Sequence, residues 1–264
     1  MRKYTWLKAV LIIALVALLV LSAVHVGTVL REEGEADDYY SELQDGVVSE
    51  QTADETTEPI PSETTTPDEE QDSIPISVGL SALQAQYPDV IGWLYCEDTP
   101  INYPVAQGYD NNQYLRHLLN GTYNTAGTLF ADYRNGEIGV DHNFVIFGHN
   151  MNNETMFGSI VKYKNQEYYD AHPSLYYFMA DHIYRIELIA GYVTAVQSDA
   201  YTINFETEEE FRSYVNGAIK KSTFKSNVEY EAGNRIVTLS TCSYEFSNAR
   251  YVVIGVLKEI SDFR

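Results

Sequence analysis

Residues 9–24 are an almost unbroken apolar run, which reaches Leu30 once His25 and Gly27 are admitted. About 20 residues cross the hydrocarbon core of a bilayer at 1.5 Å of rise each, so this run is long enough to span one. Arg2, Lys3 and Lys8 stand before it, and Glu32, Glu33, Glu35, Asp37 and Asp38 follow it. Basic residues favour the cytoplasmic side, which puts the N-terminus inside and everything beyond residue 31 outside. A cleaved signal peptide is the plainer alternative. The run is long for one and ends on no small-x-small site. Residues 1–31 are therefore read as a cytoplasmic tip and an uncleaved, single-pass anchor in the cell membrane.

The formal charge of −21 is concentrated just beyond this run: 16 acidic residues and no Lys or Arg lie between Glu32 and Asp72. Residues 32–77 are also rich in Thr, Ser and Pro. Such a segment carries too little apolar surface to offset its chain entropy, and its like charges extend it. It reads as a disordered acidic stalk, leaving residues 78–264 as one folded domain with enough chain for a substantial core. Beyond Asp72 there are 22 acids and 13 bases. That surplus attracts no phosphate backbone, so nucleic acid is not an expected partner.

From residue 78 onward β-branched and aromatic residues dominate. Strands are expected at 91–95, 101–105, 127–131, 143–147, 182–196, 236–240 and 251–257, separated by Gly, Asn, Asp and Pro turns. Many short strands of this kind indicate a mainly β domain, a mostly antiparallel barrel or sandwich. A short helix is expected at 80–86, stopped by Pro88, and another stretch around 156–161. The clearest helix covers 208–221. Thr207 is its N-cap, Glu210 completes a capping box, and acids in its first turn and lysines in its last suit the helix dipole. Phe211, Tyr214, Val215 and Ile219 form its apolar face.

Two cysteines are present, Cys96 and Cys242. Cys96 lies in the apolar stretch Gly92-Trp93-Leu94-Tyr95-Cys96, the usual setting of a buried, inert thiol. Cys242 ends a strand, Ile236-Val237-Thr238-Leu239-Ser240-Thr241-Cys242, and a polar connection leads from it to Arg250 and a further strand. A disulfide between the two is set aside. Neighbours across an antiparallel hairpin lie side by side, which pairs Cys242 with Arg250 at one rim. A guanidinium there favours thiolate and can donate to an oxyanion. A thiol nucleophile also needs a proton partner. Of six histidines, His149 is the one that emerges from a strand end, after Phe147-Gly148. His25 is in the apolar run, His117 and His172 fit turns, His182 opens a strand and His142 precedes one. Glu245 reads as a solvated loop carboxylate, not a third catalytic member.

Asp141-His142-Asn143-Phe144-Val145-Ile146-Phe147-Gly148-His149-Asn150-Met151 and Thr238-Leu239-Ser240-Thr241-Cys242, with Arg250 eight residues on, resemble the motifs of the sortases. The likeness is to class B. Trp93, Ile101-Asn102-Tyr103-Pro104-Val105, Asp110-Asn111, Tyr114-Leu115, Met156-Phe157 and His172-Pro173 sit where class B sortases carry similar residues, and the helix at 208–221 resembles their insertion. The resemblance covers roughly residues 80–260 and implies a closed β-barrel of about eight strands, with an N-terminal helix and a long helix before the cysteine strand. It also implies a transpeptidase acting on secreted proteins that carry a C-terminal sorting signal of NPxTN or xPxTG type. Cys242 would form a thioester with the signal, and an amine of a peptidoglycan precursor would resolve it. His149 would serve as acid and then base, and Arg250 would hold the carbonyl and oxyanion. Thr241 is a candidate oxyanion donor through its N–H or hydroxyl, and Ser240 a candidate for positioning the signal. No cofactor or metal is expected, since the acids are scattered without an Asp-x-Asp-x-Asp-Gly loop.

Two other readings compete. An L,D-transpeptidase also places His before Cys, but its cysteine follows Ser-x-Gly and is closely trailed by Arg. A membrane-anchored surface binding protein without catalysis would suit the anchor and stalk equally well. It gives no reason for the Cys–His–Arg set.

Overall fold

The computed structural model describes residues 5–50 and 74–260. Runs such as Ile236-Val237-Thr238-Leu239 and Tyr251-Val252-Val253-Ile254 have their branching at Cβ, which suits a pleated, packed surface. Eight such segments close on one another. They are β3 (Val90–Tyr95), β4 (Asn102–Ala106), β5 (Leu129–Ala131), β6 (Asn143–Phe147), β7 (Ser174–Phe178), β8 (Ile183–Ala195), β9 (Ile236–Cys242) and β10 (Ala249–Glu259). Around the barrel the order is β10-β8-β7-β3-β4-β5-β6-β9, and β9 pairs back onto β10. Closure leaves no unpaired edge. The interior is filled by side chains such as Leu94, Val105, Phe144, Tyr177, Leu239 and Tyr251, all essentially inaccessible.

The expected mainly β barrel is thus present, with two refinements. β7 was not among the expected strands. More consequential, β4 runs parallel to β5 and β6 parallel to β9, while the other junctions are antiparallel. A parallel β6–β9 pair brings the C-terminal ends of both strands to the same rim.

Helix α4 (Glu208–Lys221) lies outside the barrel. Thr207 Oγ1 accepts from Glu210 N, and Glu210 Oε2 reaches back to the N–H of Glu206. Phe211, Tyr214, Val215 and Ala218 are buried against β8 and β10. Ile219, expected on that face, is 39 % exposed, and the smaller Ala218 takes the close approach instead. The expected helical stretch around 156–161 is a 3-10 turn at Ser159–Lys164, followed by α3 (Gln166–Ala171), whose N-cap Asn165 accepts from Glu167 N.

The largest departure concerns the segment after the apolar run. One helix, α1 (Thr5–Val47), continues through the run into the acidic residues. Strand β1 (Val48–Glu50) then pairs antiparallel with β2 (Ile76–Val78), ahead of α2 (Leu80–Gln86). The reading of residues 32–77 as an extended stalk is therefore corrected for residues 32–50 and 76–77; residues 51–73 of that stalk lie outside the described residues. Ala36 and Tyr40 are buried, and Tyr39, Leu43 and Val47 pack beside them. These positions recur every three or four residues, as one packed face of a helix requires. The Tyr40 hydroxyl donates to the Gly127 carbonyl at 2.6 Å, Gln44 Nε2 to Asn102 O at 2.7 Å, and Asn124 Nδ2 to Glu32 O at 2.8 Å. Acids crowd the outer face of this arm, which is why their number hid its apolar stripe.

Candidate active site

In the parallel pair, Phe147 of β6 is level with Ser240 of β9. Two residues further on, the same register sets His149 level with Cys242. The Gly148 N–H donates to Ser240 O at 3.1 Å, and Thr241 Oγ1 donates to Gly148 O at 2.8 Å, so the pairing holds through this step. Across the next seam, Arg250 of β10 is the register partner of Cys242. Cys242 and Arg250 are therefore side by side on β9 and β10, and His149 emerges at the same rim two residues beyond the end of β6. Residues level with one another project to the same face, and all three line one groove of about 1060 Å³.

Gly148 is required by space. A Cβ at this position would lie 2.4 Å from Leu129 Cδ2 and 2.7 Å from the Phe157 ring. Beyond it, the loop is pinned twice, by Phe157 N donating to His149 O (2.9 Å) and by Asn150 Nδ2 donating to Cys242 O (2.9 Å). The second bond ties the histidine loop to the cysteine directly.

The imidazole is half-buried, and its Nε2 lies 2.6 Å from the carbonyl of Leu115. A carbonyl only accepts, so the ring proton is on Nε2 and Nδ1 keeps its lone pair. Burial lowers the His149 pKa below the ordinary imidazole value, and the charges of Arg116 and Arg250 lower it further, against the opposing Leu115 bond. The neutral ring is the favoured form at neutral pH.

Ser240 and Thr241 are both buried in β9. Ser240 is two residues before Cys242, on the same face, and its Oγ lies 2.9 Å from the hydroxyl of Tyr201, whose ring stacks on Phe147. The Thr241 hydroxyl is committed to Gly148 O, so an oxyanion role for Thr241 would rest on its backbone N–H. Glu245 is in the β9–β10 loop and pairs with Lys164 and Ser243. Those hydrogen bonds bring its carboxyl down to about 2, and neither partner is His149. Cys96 is buried, bonded to Ser174 O at 3.6 Å, and its thiol is pushed up to about 11 by burial. Both cysteines are free.

Three contributors were missed in the sequence. The Val196–Asn204 connection, including Tyr201, forms one groove wall. On the floor, Asp132 is buried and bonded to Arg134 at 2.7 Å. Burial alone would raise the Asp132 carboxyl, but the Arg134 hydrogen bonds and charge outweigh it and hold the group below its usual value. The Leu115 carbonyl, being backbone, left no signal in side-chain identity.

Residues 94–258 match the model of the Sortase domain family. Sortase B of Listeria monocytogenes is 37 % identical over 182 residues, which cover 67 % of this chain and 73 % of that protein. Sortase B of Staphylococcus aureus is 29 % identical over 175 residues, 66 % of this chain and 72 % of the relative. Among solved structures, the Staphylococcus aureus sortase B–substrate complex superposes with a TM-score of 0.66 at 28 % identity, covering 69 % of this chain and 86 % of that one. Sortase B from B. anthracis reaches 0.71 at 27 % identity over 88 % of this chain and all of the other.

Proposed function

Because the chain belongs to the sortase family of cysteine transpeptidases, in its class B, we propose that it cleaves a C-terminal sorting signal on secreted proteins and joins them to peptidoglycan. The signal would be of NPxTN or xPxTG type, and the acceptor an amine of a peptidoglycan precursor. Residues 1–31 would anchor the chain in the cell membrane, N-terminus inside, with the catalytic domain outside. No side chain in the most apolar stretch of α1 is buried against the protein, which supports a lipid environment for that stretch. The observation that carries the reading is that His149, just beyond β6, and the register pair Cys242–Arg250 line one groove.

The chemistry follows from the protonation states. Nδ1 of the neutral His149 takes the Cys242 proton as Sγ attacks the scissile carbonyl carbon. The carbonyl π pair moves onto oxygen, where the Arg250 guanidinium donates to it. Collapse breaks the C–N bond, and the leaving amine takes the proton from His149. The thioester then meets an acceptor amine, which gives its proton to His149 as its nitrogen attacks. The thiolate leaves and recovers that proton, so the cycle balances. Tyr201 supports Ser240 at the groove wall, and the Asn150 bond fixes the strand end that carries the nucleophile.

The test is a chain beginning at residue 32, mixed with quenched fluorescent peptides bearing NPxTN, NPxTG, SPxTG and LPxTG signals, with Cys242→Ala alongside. Cleavage of one peptide, joined to an added amine and absent in the variant, supports the proposal and names the signal. A folded chain whose Cys242 reacts with iodoacetamide but cuts none of the peptides overturns the signal class. Cleavage retained in Cys242→Ala overturns the nucleophile.

A further inference from the structure

We infer that the loop at residues 116–124, which carries Tyr123, is a lipid-headgroup contact that holds the catalytic rim against the outer face of the bilayer. The inference rests on the reading of residues 9–30 as a membrane span.

The helix that contains this span does not end at the bilayer. α1 runs without interruption to Val47, and the barrel meets it almost at once. Val29, still in the apolar run, is half-buried, and the Glu32 carbonyl is bonded to Asn124. A hydrocarbon core about 30 Å thick is filled by about 20 helical residues, and headgroups bring the bilayer to about 40–45 Å. If residues 9–30 fill the core, Glu32 lies in the headgroup layer, and so does its partner Asn124.

Asn124 belongs to a tight turn. Its N–H donates to Arg116 O, Leu118 N donates to Thr122 O, His117 bridges Tyr123, and Gly121 takes a φ of +81°. Tyr123 is 55 % exposed, edge-on to His117, with the Arg116 guanidinium 3.4 Å from its hydroxyl. A tyrosine with one apolar face and one polar tip is the side chain that membrane–water interfaces favour, and a cation beside it suits lipid phosphates. The residue before this turn is Leu115, whose carbonyl holds the His149 ring. Span, headgroup loop and catalytic imidazole are thus joined by consecutive hydrogen bonds. A second contact, Asn153 to Asp37 at 3.4 Å, ties the histidine loop to the same helix. These two attachments hold the rim beside the helix that carries the span. The occupant of this face is therefore the bilayer carrying the span.

The experiment uses the full chain with Cys242→Ala, in vesicles of equal parts phosphatidylcholine and phosphatidylglycerol. Bimane is placed on single cysteines at Val16, Thr122 and Glu231; Cys96 is buried and stays unlabelled. Lipids bear nitroxides either on the acyl chain or on the headgroup. Acyl-chain quenching of the Val16 probe establishes the span, and its absence removes the premise itself. Given that, the Thr122 probe loses most of its emission to headgroup nitroxide, whereas the Glu231 probe, before the start of β9 at the far rim, does not. Tyr123→Ser weakens the Thr122 quenching. Equal quenching at Thr122 and Glu231, or none at either, with Val16 still quenched, overturns the inference alone. Shielding of Thr122 that persists in detergent and grows with protein concentration would assign the loop to a second copy of the chain and overturn it as well.

Discussion

Replacing Tyr40 by alanine, in a chain that begins at residue 32, measures how firmly the helical arm is held. The ring is 3 % exposed and sits edge-on to Tyr39 and Tyr103, and its hydroxyl serves Gly127 O and Thr128 Oγ1. Truncating a buried aromatic to alanine costs about 3–5 kcal/mol. In a domain of this size each kcal/mol moves the midpoint by about 2–4 °C, so the expected fall is about 6–20 °C. The loss has a ceiling. Once the cost exceeds the docking free energy of the arm, α1 detaches and the barrel unfolds as though the arm were absent. A chain beginning at residue 74 supplies that floor. Tyr40→Phe keeps the ring and loses only the hydroxyl's bonds, worth about 1 kcal/mol, and should fall by about 2–4 °C. Differential scanning calorimetry of the four chains gives the order parent, Tyr40→Phe, Tyr40→Ala, truncated chain. A Tyr40→Ala midpoint indistinguishable from the parent's would refute the docking and restore an unattached stalk.

Three further outcomes are expected. Gly148→Ala forces a Cβ to within 2.4 Å of Leu129; the overpacking should cost about 1–3 kcal/mol and misplace His149, seen as a lower midpoint in denaturant together with lost turnover. His149 should titrate below the ordinary imidazole value by NMR, and Arg116→Gln should raise it, because the Arg116 charge helps to lower it. As the folded-state pKa is depressed, the unfolded chain binds the extra proton first; this contribution to stability is full above about 6.5 and is lost as pH falls toward the folded value. Asn150→Ala removes the bond to Cys242 O, worth about 1 kcal/mol, and should lower kcat about fivefold with KM unchanged; a change in KM alone would place Asn150 in substrate binding.

Much of the barrel was readable because strands announce themselves locally. The hairpin pairing of Cys242 with Arg250 followed from a short connection, and β9 and β10 lie close to where they were expected. The parallel pairing of β6 with β9 was not readable from chain pattern, because nothing local records which distant strand will be a neighbour. β7 was missed because Ser174-Leu175-Tyr176-Tyr177-Phe178 is short, follows a proline, and lacks alternation. The arm at residues 32–47 was missed for a different reason. A count of charges averages over both faces of a helix, and the stripe of Ala36, Tyr39, Tyr40, Leu43 and Val47 emerges only when residues are taken at helical spacing. At the site, residue identity pointed to His149 and Cys242, while the Leu115 carbonyl and the Tyr201–Ser240 contact depend on folded proximity.

The β6–β9 seam also sets when the site can exist during folding. Asn150 and Cys242 meet across 92 positions of chain, and contacts so distant form late, after the entropy of closing a long loop has been met. β9 is the penultimate strand and is flanked on both sides, so a chain made from its N-terminus must be almost complete before this strand can insert. Until then the thiol has neither imidazole nor guanidinium beside it. Closure of the ring and the meeting of Cys242 with His149 and Arg250 in one groove are therefore one event.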